Sequence, residues 1–288
     1  ITGGIGPSAP QQLLLEAQLK SIEHRGPDDS GIYLKNGIGL GMCRLAIVEI
    51  AAGKQPASDA TEQIHIVWNG EIYNYRELRV ELESRGVLCR DSSESEVLIN
   101  LYLEFGLDFI NKLNGMFAIA IHDSRDNSLH LVRDRMGKKP LWVSQLSDGT
   151  LYFASEVRAL MLARPDRTLR TEMIAEVMQF GYINSPNSAF NEIHQVPPAS
   201  VTSWRNGITS TKKYWAPDFN KQIKIPFPSY RNELRIKHAV KMFREHKHLQ
   251  MSIEGIATQS GFKTKSAFYA AFNAVHGITP TEWIEKNL

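Results

Sequence analysis

Apolar positions along the first 160 residues switch between two periods. From Gln11 to His24, Leu14, Ala17, Leu19 and Ile22 recur near helical spacing until Arg25-Gly26-Pro27, which predicts one helix. Strands follow. Ile32 to Leu34 and Ile38 to Met42 flank Asn36-Gly37, a pair that supplies the positive φ angles of a tight hairpin. Ile64, Ile66 and Trp68 alternate into a second pair, Asn69-Gly70, which reads as another turn; Tyr75, Leu78 and Leu82 then resume helical spacing. A third helix is predicted over Ser95 to Phe105, and short strands over Met116 to His122, Leu129 to Val132, Leu141 to Gln145 and Leu151 to Ala154. Two packed sheets with covering helices would bury these faces, an α+β arrangement.

After Leu162 the texture changes. Ala163 to Pro228 holds Pro165, Pro186, Pro197-Pro198, Pro217, Pro226 and Pro228, with little periodicity beyond a short helix near Thr171 to Phe180, and reads as a connector. From Ser229 the pattern is helical: Leu234, His238, Val240 and Phe243, then Ile253, Ile256 and Ala257, then Phe268 and Phe272. The expected organisation is a domain over 1–162, a Pro-rich connector over 163–228 and a small all-α domain over 229–288.

Charge separates these parts. The 59 residues from Tyr230 carry nine Lys and Arg against five Asp and Glu, while the rest of the chain is slightly acidic; a basic helical unit suits a polyanionic partner. No run approaches the roughly 20 apolar residues of a membrane helix, and the N-terminal residues lack the order of a signal peptide, so a cytoplasmic location and no membrane partner are expected. Cys43 and Cys89 form no CxxC and no Cys/His cluster, which argues against a disulfide framework or a zinc site and makes both small core residues.

Four motifs are specific in their order: HRGPDDSG at His24 to Gly31, RLAIVE at Arg44 to Glu49, WNGEIYNY at Trp68 to Tyr75, and RDRMGKKPLW at Arg133 to Trp142. Together they resemble class II glutamine amidotransferases, and most closely the glutaminase domain of asparagine synthetase B, over about residues 1–162. The connector, with FGYINSPNSAFNEIHQVPPAS and KKYWAP, is similar to the entry into that family's synthetase domain. The resemblance implies a four-layer αββα sandwich of the N-terminal nucleophile type.

In that family an N-terminal cysteine attacks the glutamine amide, with its own α-amino group as base, and ammonia leaves from a thioester. The resemblance implies that Asn69 and the Gly70 N–H form the oxyanion hole, and that Arg44 clamps the substrate carboxylate with its guanidinium fork. It also implies that Glu71 and Glu94 face the α-amino group and that Ile47 and Val48 line the pocket. At position 94 the family has Asp, one methylene shorter.

Two departures matter. The family begins Cys-Gly-Ile, whereas this sequence begins Ile1-Thr2-Gly3, so either a Cys-Gly precedes Ile1 in the native protein or the domain is catalytically dead. The Ser-Gly-Gly-x-Asp-Ser loop of the family's ATP-pyrophosphatase domain occurs nowhere in the 288 residues. Asparagine synthesis by this chain alone is therefore not expected, nor is a cofactor.

Residues 230–288, with GFKTKSAFYAAF followed by GITPTEW, resemble the linker helix and second helix-turn-helix of AraC-type regulators. Ser252 is placed to cap one helix, and Gly261 to turn the chain into the next. Phe262, Phe268 and Phe272 would form the core. By resemblance Lys263, Lys265, Ser266 and Tyr269 meet DNA, at the start of a recognition helix. A single unit makes few phosphate contacts, so useful affinity would need a homodimer. Three functions stay open: a glutamine-hydrolysing amidotransferase once its Cys is present, a transcriptional regulator with a dead glutamine-sensing domain, or a non-functional fusion of gene fragments.

Overall fold

The computed structural model describes residues 1–45, 54–217, 227–245 and 251–288. The chain divides into two compact units, Ile1–Ala216 and Pro217–Leu288. The first unit runs β1 (Thr2–Ile5), α1 (Gln12–Ser21), β2 (Asp29–Lys35), β3 (Ile38–Arg44), β4 (Ala57–Ser58), β5 (Ile64–Ile72), α2 (Tyr75–Ser84), α3 (Glu94–Phe105), β6 (Gly115–Asp123), β7 (Ser128–Arg133), β8 (Trp142–Gln145) and β9 (Leu151–Ala154). It continues through α4 (Val157–Ala163), α5 (Met173–Phe180), β10 (His194–Gln195), β11 (Ser200–Arg205) and β12 (Ile208–Lys213).

The strands form two antiparallel sheets, ordered β10-β8-β9-β1-β3-β2 and β12-β11-β7-β6-β5-β4. Period-two alternation decides what each face buries. On β3, Ile38 and Leu40 point into the core between the sheets with Val67, Ala118 and Phe153. Gly39 and Gly41 face α1, where a Cβ on Gly41 would sit 3.1 Å from Leu19, so the missing side chains let the helix lie close. On β5, Ile64, Ile66, Trp68 and Ile72 pack under α2 and α3 with Leu78, Leu82, Val97 and Leu98. Each such fully buried side chain contributes roughly 1.5–3 kcal/mol. The result is the expected layering, helix, sheet, sheet, helix.

Ser93 starts α3 by accepting the Glu96 N–H at 3.2 Å, satisfying one of the donors a helix N-terminus leaves open. The hairpin at Asn36-Gly37 is as expected, with φ of 48° and 81°. The second pair is not a turn: Asn69 and Gly70 lie inside β5, opposite Ala118 and Phe117 of β6. A local Asn-Gly preference is overridden there by a long pairing partner.

Part of the connector expected over 163–228 is sheet, the strands β10 to β12 within residues 194–213. β10 extends the first sheet beside β8, and β11 pairs with β7 to extend the second. β11 and β12 are joined through Asn206-Gly207, whose φ values of 50° and 80° mark another tight turn. The surrounding prolines obscured strands whose partner, β7, lies some 70 residues earlier in the chain.

The second unit holds α6 (Phe227–Arg244), α7 (Ile253–Gln259), α8 (Lys265–His276) and α9 (Pro280–Asn287). Its core joins Ile236, Met242, Ile256, Phe268, Phe272 and Trp283. Phe262, Phe268 and Phe272 stack edge to face, with centroids 5.3 and 5.6 Å apart. Thr279 and Glu282 close a reciprocal capping box on α9, with Pro280 at its first turn.

Candidate functional site

The residues of interest in the first unit sit at the ends of β3 and β5, strands from opposite sheets that pack on each other. Three levels of contact set their relation. At one level Tyr33 of β2 stacks on His65 of β5, centroids 3.7 Å apart. At the next, Gly31 abuts the backbone of Gln55, so closely that a Cβ would lie 2.0 Å from its carbonyl oxygen, and the Gln55 side chain accepts the Trp68 N–H at 2.7 Å. One step further come Arg44 on β3 and Asn69 to Glu71 on β5. By alternation Arg44 follows Leu40, and Asn69 and Glu71 follow Val67, on the faces turned toward the space between the sheets.

Arg44 is held from behind. The HRGPDDSG loop lies along its backbone: the Asp28 N–H donates to the Arg44 carbonyl at 3.1 Å, and a Cβ on Gly26 would come within 2.6 Å of Arg44 backbone atoms. Only glycine permits that approach.

The backbone of β5 presents a row of donors along its edge. Odd residues face β6, as shown by the Tyr73 N–H donating to Asn114 at 2.8 Å. Even residues therefore turn their N–H groups the other way. Trp68 gives its N–H to Gln55 and Ile72 gives its own to Glu94 Oε1 at 3.3 Å. Gly70 is the donor between them. β4 pairs only with His65 and Ile66, so along the described residues its pairing stops short of Gly70. Gly70 has φ of 153°, and a Cβ there would lie 2.0 Å from the Met116 carbonyl oxygen, so no larger residue fits.

Glu94, at the start of α3, is thus brought to the end of β5 beside Glu71, which is exposed. Ile47 and Val48 lie outside the described residues. Cys43 is half-buried, its thiol donates to the Leu19 carbonyl at 3.4 Å, and burial pushes its pKa up, the reverse of an activated nucleophile. Cys89 is likewise only partly buried and raised by burial.

Sequence reasoning missed several groups around these strands. The Ile1 amino group donates to Ser155 Oγ at 3.0 Å, and burial pushes its pKa down to about 5. Beside it Glu156 accepts from Arg25 at 3.1 Å and pairs with His24 at 2.9 Å. Arg133 and Asp134 prove architectural. The Asp134 carboxylate accepts the N–H groups of Phe117, Met136, Lys138 and Lys139, while the Arg133 guanidinium donates to the carbonyls of Gly137, Lys139 and Val196. The density of charge in RDRMGKK was the available signal. Two surface cavities, of 430 and 340 Å³, are lined by other residues, including His130 and Ser203 in the first and Gln145 and Gln195 in the second. No metal-holding cluster of His, Cys, Asp or Glu occurs among the described residues, and no helix there is long and apolar enough to cross a membrane.

In the second unit α7, a turn and α8 form a helix-turn-helix. Ser252 accepts the Gly255 N–H at 3.1 Å, and Gly261 makes the turn with φ of 88°. Thr264, missed from sequence, caps α8 by accepting the Ala267 N–H at 3.2 Å. Lys263, Lys265 and Ser266 are exposed at this N-terminus. Tyr269 is half-buried, with the Lys265 ammonium 5.6 Å from its ring centroid. The exposed face of α8 continues through the small residues Ala270, Asn273 and Ala274.

Comparison with known proteins agrees with both halves. Residues 1–215 match the family described as a glutamine amidotransferase domain, and residues 211–286 match a helix-turn-helix domain. Asparagine synthetase [glutamine-hydrolyzing] 1 of Bacillus subtilis is 36% identical over 216 residues, 75% of this chain and 34% of the relative. Asparagine synthetase [glutamine-hydrolyzing] 3 of Arabidopsis thaliana is 41% identical over 141 residues, 49% of this chain and 24% of the relative. The chain thus spans about a third or less of the length of these relatives. Among solved structures, the glutamine phosphoribosylpyrophosphate amidotransferase of B. subtilis shares the fold, with a TM-score of 0.56 at 18% identity over 83% of this chain and 57% of the other. The chain belongs to the glutamine amidotransferase domain family, with asparagine synthetases among the relatives of that part, and its residues 211–286 match a helix-turn-helix domain of AraC type.

Proposed function

We propose that the first unit binds glutamine between the ends of β3 and β5, and hydrolyses it to glutamate and ammonia when a cysteine stands two residues ahead of Ile1. Strand register is the observation that carries this reading. Thr2 pairs with Gly41, so antiparallel pairing continued by three more positions would bring that cysteine opposite Arg44. Its thiolate would then attack the side-chain amide of a glutamine whose α-carboxylate is held by Arg44. Negative charge developing on the amide oxygen would fall to Asn69 and the Gly70 N–H, and Glu71 and Glu94 would hold the α-ammonium group.

The second unit, in this reading, binds duplex DNA with the N-terminus of α8, its lysines on phosphate or guanine and its small-residue face against the groove. Glutamine and DNA are then the two partners, and no cofactor is required.

The test compares the chain starting at Ile1 with one extended by Cys-Gly, by calorimetric glutamine titration and by ammonia release. Both should bind glutamine, only the extended chain should release ammonia, and Arg44→Ala should abolish binding in both. Binding without turnover in the extended chain would mark a glutamine sensor instead. Absence of binding in both would overturn the site.

A further inference from the structure

Along the outer edge of β5 every second backbone N–H points away from β6, and most of these donors have acceptors. Ile64 donates to Asp59 Oδ1 at 2.7 Å, and Ile66 pairs with Ala57 of β4. Trp68 donates to Gln55 Oε1 at 2.7 Å, and Ile72 to Glu94 Oε1 at 3.3 Å. Among the described residues the Gly70 N–H has no acceptor. A donor left open in a row of satisfied ones is ordinarily matched by water or a ligand.

The kind of acceptor explains the gap. β4 offers its backbone only as far as Ile66, and the next acceptor is a side chain. A strand continued alongside β5 would offer a carbonyl about every 7 Å and would reach Gly70 as well as Trp68. The Gln55 amide serves Trp68 alone. Gln55 is itself held from the other sheet, since its carbonyl oxygen would lie 2.0 Å from a Cβ on Gly31 of β2, an approach that glycine allows. The Trp68 ring is anchored as well, with Nε1 donating to Ser95 Oγ at 2.9 Å. Trp68 is thus gripped at its backbone and its side chain, two residues ahead of Gly70.

We infer that Gln55 is a positioning residue for the oxyanion donor, an assignment that rests on the glutamine-hydrolysing reading of this site. Gln55 holds Trp68 on one side of the open donor as Glu94 holds Ile72 on the other. The peptide units that carry Asn69 and the Gly70 N–H are fixed between them. Gln55 acts through Trp68 rather than on the substrate. An oxyanion donor is effective because it is already aimed when charge develops on the amide oxygen, and a misplacement of about 1 Å can cost roughly 100-fold in rate. Loss of Gln55 should therefore appear in kcat and leave KM, which in this reading Arg44 and the carboxylates govern, nearly unchanged.

Two measurements test this. In the 288-residue chain, amide hydrogen exchange should be at least about tenfold slower at Trp68 and Ile72 than at Gly70. Gln55→Met, similar in length but without a strong acceptor, should remove the protection of Trp68, and Gln55→Glu, which keeps an acceptor, should retain it. In the chain extended by Cys-Gly, ammonia release by Gln55→Met should fall by about 10- to 100-fold in kcat with KM within about threefold of wild type. Gln55→Glu should regain most of the loss, a rescue that damage to packing alone would not produce. Circular dichroism establishes that each variant is folded. Unprotected Trp68 in the wild type, or a folded Gln55→Met with wild-type kcat, would overturn the role of Gln55 while leaving the hydrolysis reading intact. An extended wild type that releases no ammonia would instead sink that reading, and this role with it.

Discussion

Glu94 accepts the backbone N–H of Ile72 at 3.3 Å, tying the first turn of α3 to the last residue of β5. This bond makes one side chain serve two ends: it closes the donor row that contains Gly70 and places a carboxylate beside Glu71.

Glu94→Gln keeps an acceptor for Ile72 and removes the charge. It should leave the melting temperature within a degree or two and weaken glutamine binding by about tenfold, the worth of one charge-assisted contact. Glu94→Ala should weaken binding equally and also lower stability by about 1 kcal/mol. Equal glutamine affinity in wild type and Glu94→Gln, by calorimetry, would remove Glu94 from the substrate site.

Gly70→Ala tests whether the β5 donor row depends on glycine. A Cβ 2.0 Å from the Met116 oxygen, at φ of 153°, forces β5 and β6 apart. The expected cost is about 3 kcal/mol or more, read as a shift in the denaturant midpoint. A loss under about 1 kcal/mol would show that the pairing relaxes without difficulty.

Asp134 accepts four backbone N–H groups while nearly inaccessible to solvent. Asp134→Ala leaves those donors without their acceptor and should cost about 3–5 kcal/mol. Soluble expression with an unchanged melting curve would contradict this.

The first unit should lose stability on mild acidification. His65, His122 and His130 have pKa values lowered from 6.5, each chiefly by burial. A lowered folded pKa means the unfolded chain takes up protons first, so their contribution is complete above about pH 6.5 and is lost as pH falls through the folded values. Glu96 and Asp123, held below 4.5 and 3.8 by partners that include Arg90 and Arg125, lose their contributions only at lower pH. In the chain beginning at Ile1, the buried amine adds a loss between pH 8.0 and about 5. Thermal melts of His122→Asn should show a shallower slope near pH 6, and extension by Cys-Gly should flatten the part above 6.5.

DNA binding should depend on salt through few contacts. Lys263→Ala with Lys265→Ala should lower the slope of log affinity against log salt by about 2, with no change in the melting curve, since both are exposed. Thr264→Ala, by contrast, should destabilise α8 by about 1 kcal/mol through loss of its cap. An unaltered salt slope in the double variant would move the DNA surface elsewhere.

Periodicity made the first three helices and the strands from β6 to β9 legible, because each buries one face within its own sequence. The Ser252 cap, the Gly261 turn and the phenylalanine core of the second unit were equally local. β10 to β12 were not, since His130 pairs with Ser203 only across a long segment that holds other strands and helices, and prolines interrupt the intervening pattern. The same reason explains Asn69-Gly70: a dipeptide preference for turning is worth less than nine consecutive pairs between β5 and β6.

By itself the sequence determined the family, the alternation that sets Arg44, Asn69 and Glu71 on inward faces, and the basic helical unit, because motif order and side-chain period are properties of neighbours along the chain. Only the tertiary structure decided that Gly70 lies within a strand between two occupied donors, that Glu94 reaches Ile72, and that residues 194–213 complete both sheets. Those relations depend on pairing between strands far apart in sequence, and no local preference encodes a partner's register.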